Sequence, residues 1–171
     1  MFKIWKTITL GTHPNMRSLK QEIKLAGCRI GAYAEQVIDD PYLKMASEIT
    51  EVDIVRPTLS ELGLPKDATY GDIYARPISL GLEIRDEVSA QLAREYKDQP
   101  TGECLHIPVG GSVDPSGTGR RRNVLRLVHS HDARQGRTLL YNGVYLESRY
   151  YRAQGDVYDP FIVFVQPRKS R

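Results

Sequence analysis

The chain contains only two cysteines, one tryptophan and three phenylalanines among its 171 residues. Cys28 and Cys104 lie far apart and form no CxxC pair, which favours reduced thiols over a disulfide framework. No apolar run approaches the roughly 20 residues that a membrane-spanning helix needs. Lys3 and Lys6 also interrupt the apolar region that a signal peptide requires. We therefore expect a cytoplasmic protein that has no membrane partner.

Motifs for catalysis or cofactor binding are lacking as well. The glycine-rich segments at residues 110–112 and 117–119 have neither the lysine nor the strand-to-helix context of a phosphate-binding loop. Ser112 and Ser116 have no nucleophile elbow around them. The net charge of +3 is too small to require a polyanionic partner. These absences leave open whether the protein is an enzyme.

What the chain does have is a change in the balance of basic and acidic residues near Pro100. Before it, thirteen lysines and arginines are outnumbered by fifteen acidic residues, whereas after it eleven basic residues face six acidic ones. All but one of those eleven are arginine, and five tyrosines lie among them between Tyr141 and Tyr158. Such asymmetry between the two parts of a chain can indicate an interaction surface.

The spacing of apolar residues changes at the same point. The clearest helix is predicted over residues 84–96, where Ile84, Val88, Leu92 and Tyr96 recur four apart. A shorter helix is predicted over 32–38. The Asn142-Gly143 pair has the composition of a two-residue hairpin turn. Strands are predicted on both sides of Pro100, over residues 2–10, 51–56, 103–109, 123–131, 138–141, 144–147 and 161–166.

We therefore predict an α+β fold, in which helices of the first half pack on a mainly antiparallel sheet formed largely by the second half. No linker marks the boundary near Pro100, and a sheet of about 70 residues alone would bury too little apolar area. Residues 1–171 are accordingly predicted to form a single compact domain, with a helix-rich half at 1–98 and a β-rich half at 99–171. Leu92 and Tyr96 should then pack on the strand that carries Leu105 and Ile107.

Short motifs along the chain resemble a family of uncharacterised small bacterial proteins. The resemblance covers most of the chain and implies neither an activity nor catalytic residues. It rests on Trp5-Lys-Thr-Ile, Glu51-Val-Asp-Ile-Val, Glu61-Leu-Gly-Leu, Ala68-Thr-Tyr, Ile73-Tyr, Leu80-Gly-Leu-Glu, Tyr96-Lys-Asp-Gln-Pro-x-Gly-Glu and Phe161-x-Val-Phe-Val.

A candidate metal site consists of the pairs Cys104-x-His106 and His129-x-His131. Residues two apart on a strand share a face, so all four side chains converge if Cys104 lies opposite His129. Cysteine and histidine are natural ligands of zinc, and a site with three of them would leave a position open for a water. A register shifted by one residue separates the pairs onto opposite faces. The alternative explanation is structural: Cys104 is a small buried hydrophobe, the histidines are partly exposed residues near loops, and no zinc is bound.

A candidate polyanion-binding surface is the second constellation. Arginine binds phosphate bidentately, and the neighbouring tyrosines offer ring faces on which nucleic acid bases can stack. Solvated arginines also protect exposed strands from edge-to-edge association, which is the alternative explanation. The residues of this surface are Arg120, Arg121, Arg122, Arg126, Arg149 and Arg152.

Two functional hypotheses follow. The first is a non-enzymatic binding or regulatory module whose basic β-rich half contacts a protein or a polyanion such as nucleic acid. The alternative is a small metal-dependent, hydrolase-like enzyme that uses the histidine cluster. A pocket on which the histidines converge would favour the enzyme, whereas an arginine- and tyrosine-rich face without a pocket would favour binding.

Overall fold

The computed structural model describes residues 1–110, 122–145 and 161–168. In these residues the helices fall in the first half and strands occur in both halves. The elements are β1 (Lys6–Leu10), α1 (Met16–Leu25), β2 (Cys28–Ile30), α2 (Ala32–Ile38), β3 (Thr50–Val55), α3 (Tyr70–Ser79), α4 (Val88–Glu95), β4 (Cys104–Val109), β5 (Arg122–His129), β6 (Arg137–Tyr145), β7 (Phe161–Ile162) and β8 (Phe164–Gln166).

The strands form two sheets, and the predicted α+β fold class is confirmed. A three-stranded antiparallel sheet has the order β1-β3-β8, and a five-stranded sheet has the order β2-β6-β5-β4-β7. The centre of the larger sheet is antiparallel, while its outer strands β2 and β7 pair in parallel with their neighbours. Most strands of this larger sheet come from the second half of the chain, as the sequence predicted.

One extended segment connects the two sheets. Its first strand, β7, pairs with β4 in the larger sheet, and its second, β8, pairs with β3 in the smaller one. Between them the Val163 amide donates a hydrogen bond to the His106 carbonyl at 2.9 Å. A strand that changes sheets makes a corner between them, and here the corner brings β3 next to β7.

Both faces of the larger sheet carry buried apolar residues. Leu92, Tyr96, Leu105 and Ile107 belong to one buried cluster, as expected. A second cluster on the opposite face contains Val55, Leu62, Ile73, Val124, Ile162 and Phe164. The first cluster contains residues from both halves of the chain. The single domain over residues 1–171 stays a prediction.

Helix α4 begins at Val88 rather than at Ile84, and the side chains of the two residues before it bind other segments of the chain. The Asp86 carboxylate accepts hydrogen bonds from the amides of Lys44 and Gly110. The buried Glu87 carboxylate accepts from the amides of Gly11 at 3.0 Å and Ala46 at 2.7 Å. These acidic side chains anchor three loops at the start of the helix.

The prediction of a hairpin turn at Asn142-Gly143 is wrong. Strand β6 runs through both residues, and the pairing with β5 shifts by one residue there, between Asn123 and Leu125. Two residues of β6 therefore oppose one residue of β5, which is a β-bulge. The turn between these strands lies at residues 130–136, where the Ser130 amide donates to the Gly136 carbonyl at 3.0 Å.

None of the helices in the described ranges is long and apolar enough to cross a membrane.

Candidate functional site

The register of β4 and β5 separates the two pairs of the predicted metal site. Cys104 lies opposite Val128, and His106 lies opposite Arg126. Directly opposed residues of antiparallel strands share a face, so His129 lies on the other face from Cys104 and His106. His131 lies beyond the end of β5 and is exposed. In the part of the chain that the structure describes, no group of three or more histidines, cysteines and carboxylates could hold a metal ion.

His129 has a structural partner on its own side of the sheet. Its Nδ1 atom lies 2.6 Å from the Gln99 carbonyl oxygen, and the Gln99 side-chain amide donates to the Leu127 carbonyl at 2.9 Å. These bonds fasten the segment after α4 to β5.

The register does bring Cys104 and His106 together with Arg126, which belongs to the predicted polyanion surface. The Cys104 sulfur lies 3.8 Å from His106 Nε2. Burial lowers the pKa of His106 to about 3, and the positive charge of Arg126 adds to this effect. Burial also raises the pKa of the Cys104 thiol. Both groups are therefore neutral near pH 7, which disfavours the thiolate–imidazolium pair of a cysteine nucleophile.

Most of the predicted polyanion surface lies outside the described residues. This applies to Arg120, Arg121, Arg149 and Arg152. Arg122 starts β5, and Arg126 is half-buried in the same strand. The proposed clustering of these six arginines stays a prediction.

Arg137, a further arginine of the basic half, has a structural role. It is only 6% exposed, and its Nη2 atom donates a hydrogen bond to the Ala93 carbonyl at 2.9 Å. Burial lowers the pKa of its guanidinium. The positive charge therefore lies at the C-terminal end of α4, where it interacts favourably with the negative end of the helix dipole.

A groove of about 310 Å³ lies where β1, β3 and β7 meet, and the sequence analysis did not identify it. Its walls include Trp5 just before β1, Arg56 just after β3, and Phe161 of β7. The Trp5 amide donates to the Ile54 carbonyl at 2.8 Å, and the Ile162 amide donates to the Pro57 carbonyl at 2.9 Å. These backbone bonds bring the three side chains side by side.

Arg56 packs against both aromatic rings of the groove. Its Cζ atom lies 4.5 Å from the centroid of the Trp5 ring and 4.7 Å from that of Phe161. Its Nη1 atom donates to the Glu103 carboxylate, whose side chain is 12% exposed. Cation–π contacts and this ion pair hold the guanidinium in one orientation.

Tyr96 supports the groove from the inner side. Its ring meets that of Trp5 edge to face, with the centroids 4.9 Å apart. Burial raises the pKa of Tyr96 to about 12, and the neighbouring Glu103 carboxylate adds to this shift. The hydroxyl therefore stays protonated, and the Tyr96 ring is a fixed neutral support for Trp5.

The groove combines apolar surface with partly exposed cationic side chains. The side chain of Arg56 is 28% exposed. Its guanidinium bonds to the Glu103 carboxylate and also interacts with the Tyr96 side chain. Lys3 lies exposed in the groove wall. This arrangement can bind an acceptor group, while the aromatic rings bury an adjoining apolar group.

One feature of the sequence sets Trp5 apart. In the predicted strand over residues 2–10 the apolar face carries Ile8 and Leu10, and both are buried. Trp5 lies on the alternate face with Thr7 and Thr9. Single apolar residues on a protein surface are common, so this position does not identify a binding surface without the structure. Its partners Arg56 and Phe161 carry no comparable signal.

The chain matches no family model, no curated protein and no solved structure. The resemblance to a family of uncharacterised bacterial proteins stays a prediction.

Proposed function

We propose that the protein is a non-enzymatic binding module that recognises its partner through the groove formed by Trp5, Arg56 and Phe161. The observation that carries this proposal is the partly exposed guanidinium of Arg56, which two aromatic rings and the Glu103 carboxylate hold in place beside exposed apolar surface. A side chain fixed before binding loses little conformational entropy when the partner arrives.

The composition of the groove also supports a binding role. Tryptophan, tyrosine and arginine are the residues that most often dominate the binding energy of protein interfaces. Ile4 and Phe161 expose 47% and 37% of their surface beside Arg56, although both are large apolar residues. Apolar surface around a polar anchor is the usual anatomy of an interface core.

The proposal modifies the hypothesis that the basic β-rich half alone contacts the partner. Trp5 and Arg56 come from the first half of the chain, and Phe161 comes from the second. The alternative of a hydrolase-like enzyme has lost its main support, because the β4–β5 register separates the histidine pairs.

Trp5 is the only tryptophan of the chain, so its fluorescence reports on the groove alone. The experiment is a selection of binders from a random peptide library on the full-length protein. We expect synthetic copies of the selected peptides to shift or quench the emission of Trp5. We also expect Phe161→Ala and Ile4→Ala to weaken their binding, because each substitution removes exposed apolar surface from the groove.

The matched control is Leu25→Ala, which removes a side chain that is 80% exposed and lies in α1, away from the groove. It should leave binding unchanged. Thermal unfolding of each variant separates a local effect from a loss of folding. Peptides that bind without changing Trp5 emission, and that bind Phe161→Ala and Ile4→Ala as well as the parent, would exclude the groove as the site.

A further inference from the structure

We infer that residues 41–49, which lie between α2 and β3, form a strap that opens as a unit while the rest of the protein stays folded. The carboxylates of Asp86 and Glu87 hold the strap closed. Its opening would uncover a cavity of about 380 Å³ that the strap lines on one side. The strap packs at the other end of β1 from Trp5, so the inference does not depend on the proposed function.

The strap has little structure of its own. None of its residues is buried, and Tyr42 and Ile49 expose 62% and 74% of their surface. Among the described residues, its only backbone–backbone hydrogen bond runs from the Leu43 amide to the Asp40 carbonyl at 3.0 Å. Exposed segments with few backbone hydrogen bonds open at a lower free energy than the whole protein. The strap has both properties.

Two side-chain carboxylates tether the strap to the rest of the protein. The Lys44 amide donates to Asp86 Oδ2 at 2.9 Å, and the Ala46 amide donates to Glu87 Oε2 at 2.7 Å. The other oxygen of Glu87 accepts from the Gly11 amide at 3.0 Å, so this carboxylate bridges the strap and the end of β1. Hydrogen bonds to ionised acceptors are about twice as strong as neutral ones. These two bonds are therefore the main polar hold on the strap.

The closed strap has a defined seat at the end of β1. Gly11 has a φ of +77°, and a Cβ atom at this position would overlap the carbonyl oxygen of Glu48. Glycine permits both the backbone conformation and this close approach. Met45 and Ala46 are partly buried against the first apolar cluster. The strap thus rests on a small contact area in addition to its two tethers.

The cavity lies between the strap and the residues that hold it. Residues 44–48 form one wall, and the other wall includes Leu10, Thr50 and residues 84–87. Leu10 is only 1% exposed while the strap is closed. Opening would bring water to this apolar surface, and the free-energy cost of that exposure keeps the closed state dominant.

The first test is amide hydrogen exchange of the full-length protein. We expect the amides of Lys44 and Ala46 to be less protected than those of Leu125 and Leu127, which lie in the central strand β5. Exchange from the strap should depend little on low concentrations of urea, because a local opening exposes little surface. Exchange from β5 should depend on urea steeply, because it requires global unfolding.

The second test weakens the tethers one at a time. Glu87→Gln replaces one accepting oxygen with an amide donor, so protection of the Ala46 amide should fall about tenfold or more relative to that of Leu127. Asp86→Asn should do the same to the Lys44 amide. Asp86 is only half-buried, so this variant tests the tether even if Glu87→Gln fails to fold.

The matched control is Glu83→Gln. The Glu83 carboxylate lies in the same segment but binds the Arg85 side chain at 3.0 Å and no amide of the strap. This substitution should leave the protection of the strap unchanged.

Two results would overturn the inference. Strap amides that are as protected as those of β5, with the same dependence on urea, would show that the strap opens only when the whole protein unfolds. Unchanged protection of the strap in Asp86→Asn, and in Glu87→Gln if it folds, would show that the carboxylates do not hold it closed. The peptide selection tests the groove separately, so either idea can fail while the other stands.

Discussion

His106 is a buried histidine on the face of the larger sheet that carries Val124 and Ile162, and only 3% of its surface is exposed. Cys104 lies two residues before it on the same strand, and Arg126 lies opposite it on β5. Neither neighbour offers a negative charge to an imidazolium. The imidazole is therefore neutral in the folded protein until the pH falls to about 3.

This burial should make the stability of the protein depend on pH. Between about pH 6.5 and 3 the unfolded chain binds a proton on His106 that the folded chain does not bind. The free energy of unfolding should therefore decrease as the pH falls, by up to about 1.4 kcal/mol per pH unit from this residue. We expect His106→Gln to lose this part of the slope in urea unfolding measured from pH 6.5 to 4.

His131→Gln is the control, because His131 is exposed at the end of the same strand pair. It should keep the slope of the parent protein. Equal slopes in the parent and in His106→Gln would show that the imidazole is protonated in the folded state.

Helix α4 is one of the elements that join the two halves of the chain. Its residues Val88 to Ala93 are buried, and Leu92 is fully enclosed in the cluster that also contains Leu105. Arg137 binds a carbonyl near its end, and the Glu87 carboxylate fastens two loops at its beginning. Packing and hydrogen bonds thus fix the helix at both ends.

Leu92→Ala should destabilise the protein by about 2–5 kcal/mol, because it removes buried methyl groups and leaves a cavity. Chemical unfolding of the parent and the variant measures the loss. The matched control Leu25→Ala changes a leucine that is 80% exposed in α1, and it should alter stability by less than about 0.5 kcal/mol. Equal, small losses in both variants would contradict the central position of α4.

The charge asymmetry of the chain leads to a prediction about polyanions. If the predicted surface binds nucleic acid, affinity for a generic oligonucleotide should fall steeply as salt rises, because bound phosphates release counterions. Replacement of Arg120, Arg121 and Arg122 by alanine should then weaken binding to all base sequences about equally, because phosphate contacts carry little base information. A salt titration of both proteins measures this.

The control replaces three exposed arginines elsewhere, Arg29, Arg85 and Arg134, which changes the net charge equally. An equal loss of affinity in this control would mean that only net charge matters. The absence of binding at low salt would refute the polyanion surface.

Local patterns were sufficient to predict much of the fold. The helix over residues 32–38 agrees with α2, and the strands at 51–56 and 103–109 agree with β3 and β4 within one residue. The α+β class followed from the change in apolar spacing near Pro100. These features depend on residues close in the chain, whose periodicity is visible without any long-range contact.

Pairing between strands that are distant in the chain determined the features that local patterns did not predict. Side chains alternate along a strand, so a shift of one residue between β4 and β5 is enough to move His129 to the other face. At Asn142-Gly143 the partner strand determined the outcome, because pairing with β5 made a bulge where the local composition favoured a turn.

The groove depends on tertiary structure most of all. Trp5, Arg56 and Phe161 are distributed over most of the chain, and none has a local pattern that points to the other two. The corner between β7 and β8 brings them together, and no pattern of neighbouring residues encodes a contact that depends on the path of the whole chain. Local sequence therefore determined which elements form, whereas strand register and the sheet corner determined which side chains meet.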